Sequence, residues 1–221
     1  MSINTLFKSE LQVVNFGMTA FKDALASVGT KAVQVDWKPP MDVSPAATER
    51  IAAARAKIEK ANAKAMQKIL SAQPCLVGLE RALDVIPGMK KNLILHAGPP
   101  VTWERMCGPM RGAIMGALMY EGMAKSAKEA EKLAASGAIR YAPCHEHSSV
   151  GPMAGIISAS MPVFVLVNEA HGNKAYCTMN EGLGKVLRYG AYGEDVIKKL
   201  KWMETVLYPV LKKAVKKVGR I

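Results

Sequence analysis

Apolar positions along the chain switch between the two-residue alternation of strands and the three-to-four spacing of helices. Residues 11–16, LQVVNF, form a short apolar run that predicts a buried strand. Gly17 follows. Met18, Phe21, Leu25 and Val28 then share one helical face, and Gly29 stands where a C-cap belongs. Residues 32–36, AVQVD, predict a second strand, closed by Trp37 and the pair Pro39-Pro40. Strand, glycine turn, helix, strand is the opening of a parallel α/β sheet. The single glycine in the turn is too few for a GxGxxG dinucleotide fingerprint. Ser44 and Pro45 cap and start a long helix running to about Ala72. Its stripe of Ile51, Ala54, Ile58, Ala61, Ala65 and Ile69 is thin and alanine-rich, suited to close packing or to an interface.

The pattern continues with strands over 74–79 (PCLVGL) and 92–96 (NLILH), the latter running into the hard turn AGPP. From Arg111 the run RGAIMGALMYEGM predicts a buried helix, and 124–136 a charged amphipathic one ending at Gly137. Residues 161–169 and 172–181 predict two strands flanking a hairpin turn at His171-Gly172-Asn173. GLGKVLRYGAYG then reads as a glycine-dense loop or short helix. The last helix starts near Glu194, with Val196, Leu200, Met203, Leu207 and Val210 in register, and Pro209 is expected to kink or split it. CGPMRGAIMGA at 107–117 echoes VGPMAGIISAS at 150–160, which suggests two similar loop-to-helix turns. These elements predict an α/β fold: a parallel or mixed sheet with flanking helices and a Rossmann-like N-terminal part. Two subdomains are expected, at 1–90 and at 91–221.

Composition narrows the function classes. Half of the 221 residues are hydrophobic, enough for a sizeable core, yet no apolar run approaches the roughly 20 residues that span a bilayer. The first residues lack a signal-peptide stretch, so a cytoplasmic protein is expected, with no membrane partner. Cys75, Cys107, Cys144 and Cys177 are scattered and read as free thiols. The net charge of +12 invites a nucleic-acid reading. Against it, Lys198, Lys199, Lys201, Lys212, Lys213, Lys216, Lys217 and Arg220 alternate with an apolar stripe, and aromatics make up only 6% of the chain. No nucleic acid is expected. Small anionic substrates or an acidic partner subunit fit better.

Three segments carry candidate chemistry. In the first, His96 ends a strand, and the following AGPPVTWERMCGPMRG supplies Arg105, Gly108 and Arg111. Glycine-freed amides and two guanidinium groups suit a phosphate or carboxylate; both arginines could equally serve structural salt bridges. The second is Cys144-His145-Glu146-His147, followed by Gly151. In an extended segment His145 and His147 would face one side, where they could bind zinc, bind substrate, handle protons or merely brace a loop. The spacing is not HExxH and no second ligand pair follows, so no metal is assigned. The third is Asn180-Glu181-Gly182-Leu183-Gly184-Lys185, with Arg188 three residues on. It offers cations and glycines for an anion without P-loop spacing, or simply a helix start with exposed basic residues. Met106, Met110, Met115, Met119 and Met123 recur at near-helical spacing and read as core. No cofactor is expected.

Taken together, VVNFG at 13–17, VQVDWKPP at 33–40, LHAGPPVTWERMCGPMRGA at 95–113, the 144–166 stretch and NEGLGKVLRYGAYG at 180–193 resemble the YlbE/YahG-type family, also called AllG. The resemblance covers most of the chain. It implies a subunit of an oxamate carbamoyltransferase in anaerobic allantoin catabolism, exchanging carbamoyl phosphate and oxamate with oxalurate and phosphate. It also implies an FdrA-type subunit and a third small subunit as partners. The match is to the front half of the family pattern, which fits a split subunit whose other half is a separate chain, a truncation or a remnant, and the chain is not expected to be a complete enzyme alone. The roles that chemistry then assigns are His96, His145 or His147 as polariser or proton handler, and Arg105 and Arg111 as anion ligands. Gly108 and Gly151 would give close backbone approach, and Lys185 and Arg188 a second anion contact. The rival readings are a non-catalytic structural or regulatory subunit, and an acyl-CoA or acyl-phosphate enzyme subunit akin to succinyl-CoA synthetases.

Overall fold

The computed structural model describes residue 8 and residues 11–38, 44–151 and 155–221. The chain divides into two compact units, Met1–Lys64 and Ala65–Ile221. In the first, strands β1 (Val13–Phe16) and β2 (Ala32–Val35) pair in parallel across helix α1 (Thr19–Ser27), with Val13 opposite Ala32. Gly29 takes φ +76°, and its N–H caps the helix on Ala26 O. The left-handed conformation costs a non-glycine residue about 1 kcal/mol, which is why glycine stands there. The expected parallel pair is thus present, but no larger Rossmann sheet grows from it among the described residues. Pro39 and Pro40 lie outside them. Helix α2 (Pro45–Leu70) starts at the anticipated cap, Ser44 Oγ accepting the Ala47 N–H at 3.3 Å. No residue of α2 is buried, in keeping with its thin stripe.

The second unit opens with strand β3 (Pro74–Arg81), helix α3 (Ala82–Val85) and strand β4 (Leu93–His96). A 3₁₀ turn (Trp103–Arg105), helices α4 (Gly108–Tyr120) and α5 (Ala127–Ala135), and strand β5 (Arg140–Pro143) follow. A second 3₁₀ turn (Cys144–His147) leads to the short strands β6 (Ser149–Val150) and β7 (Ile156–Ile157). The strands β8 (Pro162–Asn168) and β9 (Lys174–Thr178) form the expected hairpin. A third 3₁₀ turn (Leu187–Tyr189), helix α6 (Glu194–Trp202), a π turn (Met203–Leu207) and helix α7 (Tyr208–Val218) close the chain.

Two sheets result. One runs β3-β8-β9-β6 and the other β5-β4-β7, each mixing parallel and antiparallel pairs. Strand β3 therefore belongs with β8 in the second unit. The alternation of β4 divides the interior into two clusters. Ile94 joins Ile114, Leu118, Ile156 and Leu200 on the helical side, and Leu93 and Leu95 join Ile86, Ile157 and Val163 on the other. Each such fully buried aliphatic side chain contributes about 1.5–3 kcal/mol.

Helix α4 starts three residues earlier than expected because Pro109 fits the first turn, where its missing N–H has no partner to lose. Its end is tied down by Glu121, whose carboxylate accepts from Ser158 Oγ at 2.6 Å, Ser160 N at 2.7 Å and Ser160 Oγ at 2.8 Å. The echo at 150–160 leads into a strand, not a helix. Its residues 152–154 lie outside the described ones, and Ile156–Ile157 pairs with β4. The last helix is interrupted just before Pro209: regular α geometry ends at Trp202, and a new α segment starts at Tyr208 with Pro209 in its first turn. The π turn just before it adds a residue to one turn, and helical conformation continues from Glu194 to Val218. The free edge of β3 is met by the last residue, Leu76 N donating to Ile221 O at 2.8 Å and Ile221 N to Leu76 O at 3.2 Å. Among the described residues no helix is long and apolar enough to cross a membrane.

Candidate functional site

The first and third candidate segments are joined by backbone contact. One face of α4 is glycine, and Gly112 lies directly against the Gly190 carbonyl. Gly116 packs on Leu187 and Tyr192. Gly190 itself holds φ +86°, with Pro109 so close that a Cβ there would sit 2.6 Å from its Cα. These glycines serve approach between protein segments. Gly108, at the helix start, has open space around it.

The second segment reaches the first through β4. His96 pairs in register with Ile156, and the Ala97 N–H donates to Gly155 O at 3.2 Å. Gly151 is confined: a Cβ on it would meet Gly155 O at 2.7 Å and Cys144 Sγ at 3.2 Å. The same 155–156 stretch lines a cavity with Tyr120, Thr178, Glu181 and Arg188. Its volume is about 40 Å³, room for roughly three waters or one small planar group. The three segments therefore meet around Gly155, Ile156 and the 187–190 turn.

Within that meeting point two residues stand out. His96 is fully buried. Its Nδ1 lies 2.9 Å from Ala97 O, and only a protonated Nδ1 can serve a carbonyl. In the neutral ring, Nε2 is then a bare lone pair, and it has no partner among the described residues. Arg188 donates from Nη1 to Asn180 Oδ1 at 2.8 Å and from Nη2 to Gly182 O at 2.7 Å, and it lies over the Tyr189 ring. Its Nε–H is buried with no acceptor among the described residues. An unmet buried donor or acceptor costs about 1–3 kcal/mol. These two atoms are the buried side-chain polar atoms left unmet among the described residues, and both lie on residues singled out from sequence.

The remaining candidates are placed differently. Arg111 donates to Trp103 O at 3.1 Å and Glu104 O at 2.7 Å and lies over the Trp103 ring, so it latches the first 3₁₀ turn to α4. Arg105 is exposed, without an ion-pair partner among the described residues. It borders an open cleft of about 510 Å³ with Pro99, Pro100, Thr102 and Tyr141. Lys185 is exposed on the loop beyond Gly184. The CHEH segment is a 3₁₀ turn, not an extended strand, because Pro143 ends β5 and Ser148 turns the chain with φ +52°. At three residues per turn His145 and His147 do not share a face. His145 is exposed, and His147 donates Nδ1–H to Pro87 O at 2.7 Å. Among the described residues no group of three or more His, Cys, Asp or Glu could hold a metal ion.

Sequence reasoning passed over Glu181, Thr178 and Tyr120 as site residues. Glu181 organises the turn, its carboxylate accepting from Leu187 N at 2.6 Å and Arg188 N at 3.1 Å. Its position beside Gly182 in the third segment was the available signal. Thr178 and Tyr120 carried none, since a strand end and a buried helix meet only in the fold. Burial pushes the Tyr120 hydroxyl well above its ordinary value, helped by the Glu204 carboxylate, so it stays a neutral phenol.

Burial likewise pushes the Cys144 thiol up to about 12, against the opposing Gly151 N–H. Only about one molecule in ten thousand then carries the thiolate at pH 8. Iodoacetamide at that pH is expected to alkylate the exposed Cys107 and spare Cys144 until the fold is opened with denaturant. Peptide mass spectrometry checks this, and equal labelling of both in native protein contradicts it.

Relatives place this arrangement. Residues 139–221 match the family model described as AllG, oxamate carbamoyltransferase subunit AllG. The uncharacterized protein YahG of Escherichia coli (strain K12) is 46% identical over 222 residues, which is 98% of this chain and 47% of YahG. The oxamate carbamoyltransferase subunit AllG of the same strain is 44% identical over 164 residues, 74% of this chain and 39% of that protein. The crystal structure of a conserved protein of unknown function from Enterococcus faecalis V583 matches with TM-score 0.71 and 48% identity, covering 74% of this chain and 39% of that one. The chain thus spans less than half the length of the curated relatives it matches. With the family pattern across its last 83 residues and this identity to AllG and YahG, the chain belongs to the AllG family.

Proposed function

We propose that the chain is a subunit of an oxamate carbamoyltransferase, acting in the cytoplasm in anaerobic allantoin catabolism. It works with an FdrA-type subunit and a third small subunit. The observation that carries the reading is the pair of unmet buried atoms, the Nε2 lone pair of His96, whose backbone pairs with Ile156, and the Nε–H of Arg188, which lines a cavity with Ile156. The relative named as an oxamate carbamoyltransferase subunit supplies the reaction.

That reaction needs one acceptor and one anion donor. The amide nitrogen of oxamate attacks the carbamoyl carbon of carbamoyl phosphate. The new C–N bond forms, the C–O bond to phosphate breaks, and the nitrogen sheds a proton. His96 Nε2 takes that proton and returns it to the departing phosphate, a role for which its fixed tautomer suits it. This makes His96 a proton acceptor and not a polariser of the carbamoyl oxygen. Arg188 Nε–H meets the anionic oxygen of phosphate or carboxylate in a low-dielectric setting, where a charge-assisted bond is strongest. Arg105, at its open cleft, is the second anion contact, with Lys185 an outlying cation.

Arg188→Lys and Arg188→Ala in the reconstituted complex test this. Both are expected to lower kcat by roughly a hundredfold, as removing one preorganised donor does. Arg188→Ala also loosens the loop that Nη1 and Nη2 hold. Thermal melting separates that loss from the catalytic one. Turnover of Arg188→Lys within about twofold of wild type would sink the assignment.

A further inference from the structure

We propose that the outer face of α6, the π turn and α7, with the adjoining 180–184 loop, docks an acidic amphipathic helix of a partner polypeptide. A helix at a surface needs one apolar stripe, and this rod has two. Val196, Leu200, Met203 and Val215 are buried in the core. Trp202, Val206 and Val210 form a second stripe at four-residue spacing, and they are 50%, 48% and 60% exposed.

Beside the second stripe lies a groove of about 620 Å³, floored by Trp202, Met203 and Leu207 and edged by Lys198 and Lys199. The loop at its rim holds Leu183 at 88% exposure between Gly182 and Gly184, both with φ +87°. A leucine carried outward on two left-handed glycines buries nothing in this chain. It has the placement of an anchor for another surface.

Charge decides the occupant. Residues 180–221 hold ten Lys and Arg against four Asp and Glu. Those acids are engaged: Glu181 with backbone amides, Glu194 with Lys198 at 2.7 Å and Glu204 with Lys201 at 2.9 Å. Asp195, in the first turn of α6, faces that helix's own N-terminus. Lys213, Lys216 and Lys217 are exposed further along. A second copy of this chain, at +12, would be repelled. An apolar stripe between glutamates and aspartates is the complementary surface.

The test uses a synthetic helix of about 20 residues with Leu at i, i+4 and i+7 and Glu between, against a control with Lys for every Glu. Fluorescence of Trp202 in the full chain reads binding. The Glu peptide is expected to bind with an affinity that weakens as salt rises, and the Lys peptide not to bind. Trp202→Ala and Leu183→Asp are each expected to weaken binding by roughly tenfold, read by anisotropy of a labelled peptide. Lys198→Glu with Lys213→Glu is expected to reverse the preference between the peptides. Binding that ignores these substitutions, equal binding of both peptides, or none, overturns the proposal. All four substituted side chains are exposed, so the variants are expected to melt like the wild type.

Discussion

Alanine at position 190 is expected to destabilise the second unit by about 3 kcal/mol or more, among the largest effects open to a single methyl group here. Two costs add. The residue sits at φ +86°, which penalises any Cβ by about 1 kcal/mol. The added carbon would also lie 2.6 Å from Pro109 Cα and 2.7 Å from Pro109 O. Those are backbone atoms in the first turn of α4, so no side chain can swing aside. The melting midpoint should fall by about 10 °C. Gly184→Ala is the control: its φ is nearly the same, +87°, but nothing lies within 4 Å of the added carbon. It should cost only the conformational part, about 1 kcal/mol. Equal losses from the two substitutions would show that the contact between Gly190 and α4 is not tight.

The second large effect concerns His96. In the reconstituted transferase, His96→Gln and His96→Asn are both expected to lower kcat by roughly 10²–10³-fold with little change in KM, the range for loss of a general base. Asparagine can still present an N–H toward Ala97 O, and glutamine can still present an oxygen near the Nε2 position. Neither offers a basic lone pair. A direct reading of the imidazole by ¹⁵N NMR is independent of turnover: the neutral ring should show a protonated Nδ1 and a bare Nε2. A protonated Nε2 in the neutral ring would remove the acceptor that the mechanism needs. If the NMR pattern holds but kcat does not fall, the tautomer is structural and the proton passes elsewhere.

The legible part of this protein was local. Apolar runs bounded by Gly and Pro marked β1, β2, β3, β4, β8 and β9, and helical spacing marked α1, α2, α4, α5 and α6. Pairing between distant segments was not legible. Nothing near residues 74–81 says that β3 should run antiparallel to β8, because a short apolar strand suits either neighbour. Alternation puts His145 and His147 on one face only in an extended segment, and Pro143 and Ser148 impose a tight 3₁₀ bend there instead. Arg111 and Arg188 look alike in sequence, each a basic residue among glycines. Only the fold shows that Arg111 is engaged by the 103–104 carbonyls while Arg188 keeps one buried donor free among the described residues.

The π turn at Met203–Leu207 makes the phase of the last helix a matter of a single residue. Each helical residue advances the side chains by about 100°. Deleting Val206 would relax the wide turn into an ordinary one and leave the backbone hydrogen-bonded, and everything after it would keep its face, because the wide turn already takes up one extra residue. Lys212, now 2.5 Å from Glu80, would keep its partner, and Val215 would stay in the interior. The same one-residue deletion at the start of α7, past the wide turn, has no such slack and would rotate the helix's end by that angle, turning both residues away from their places.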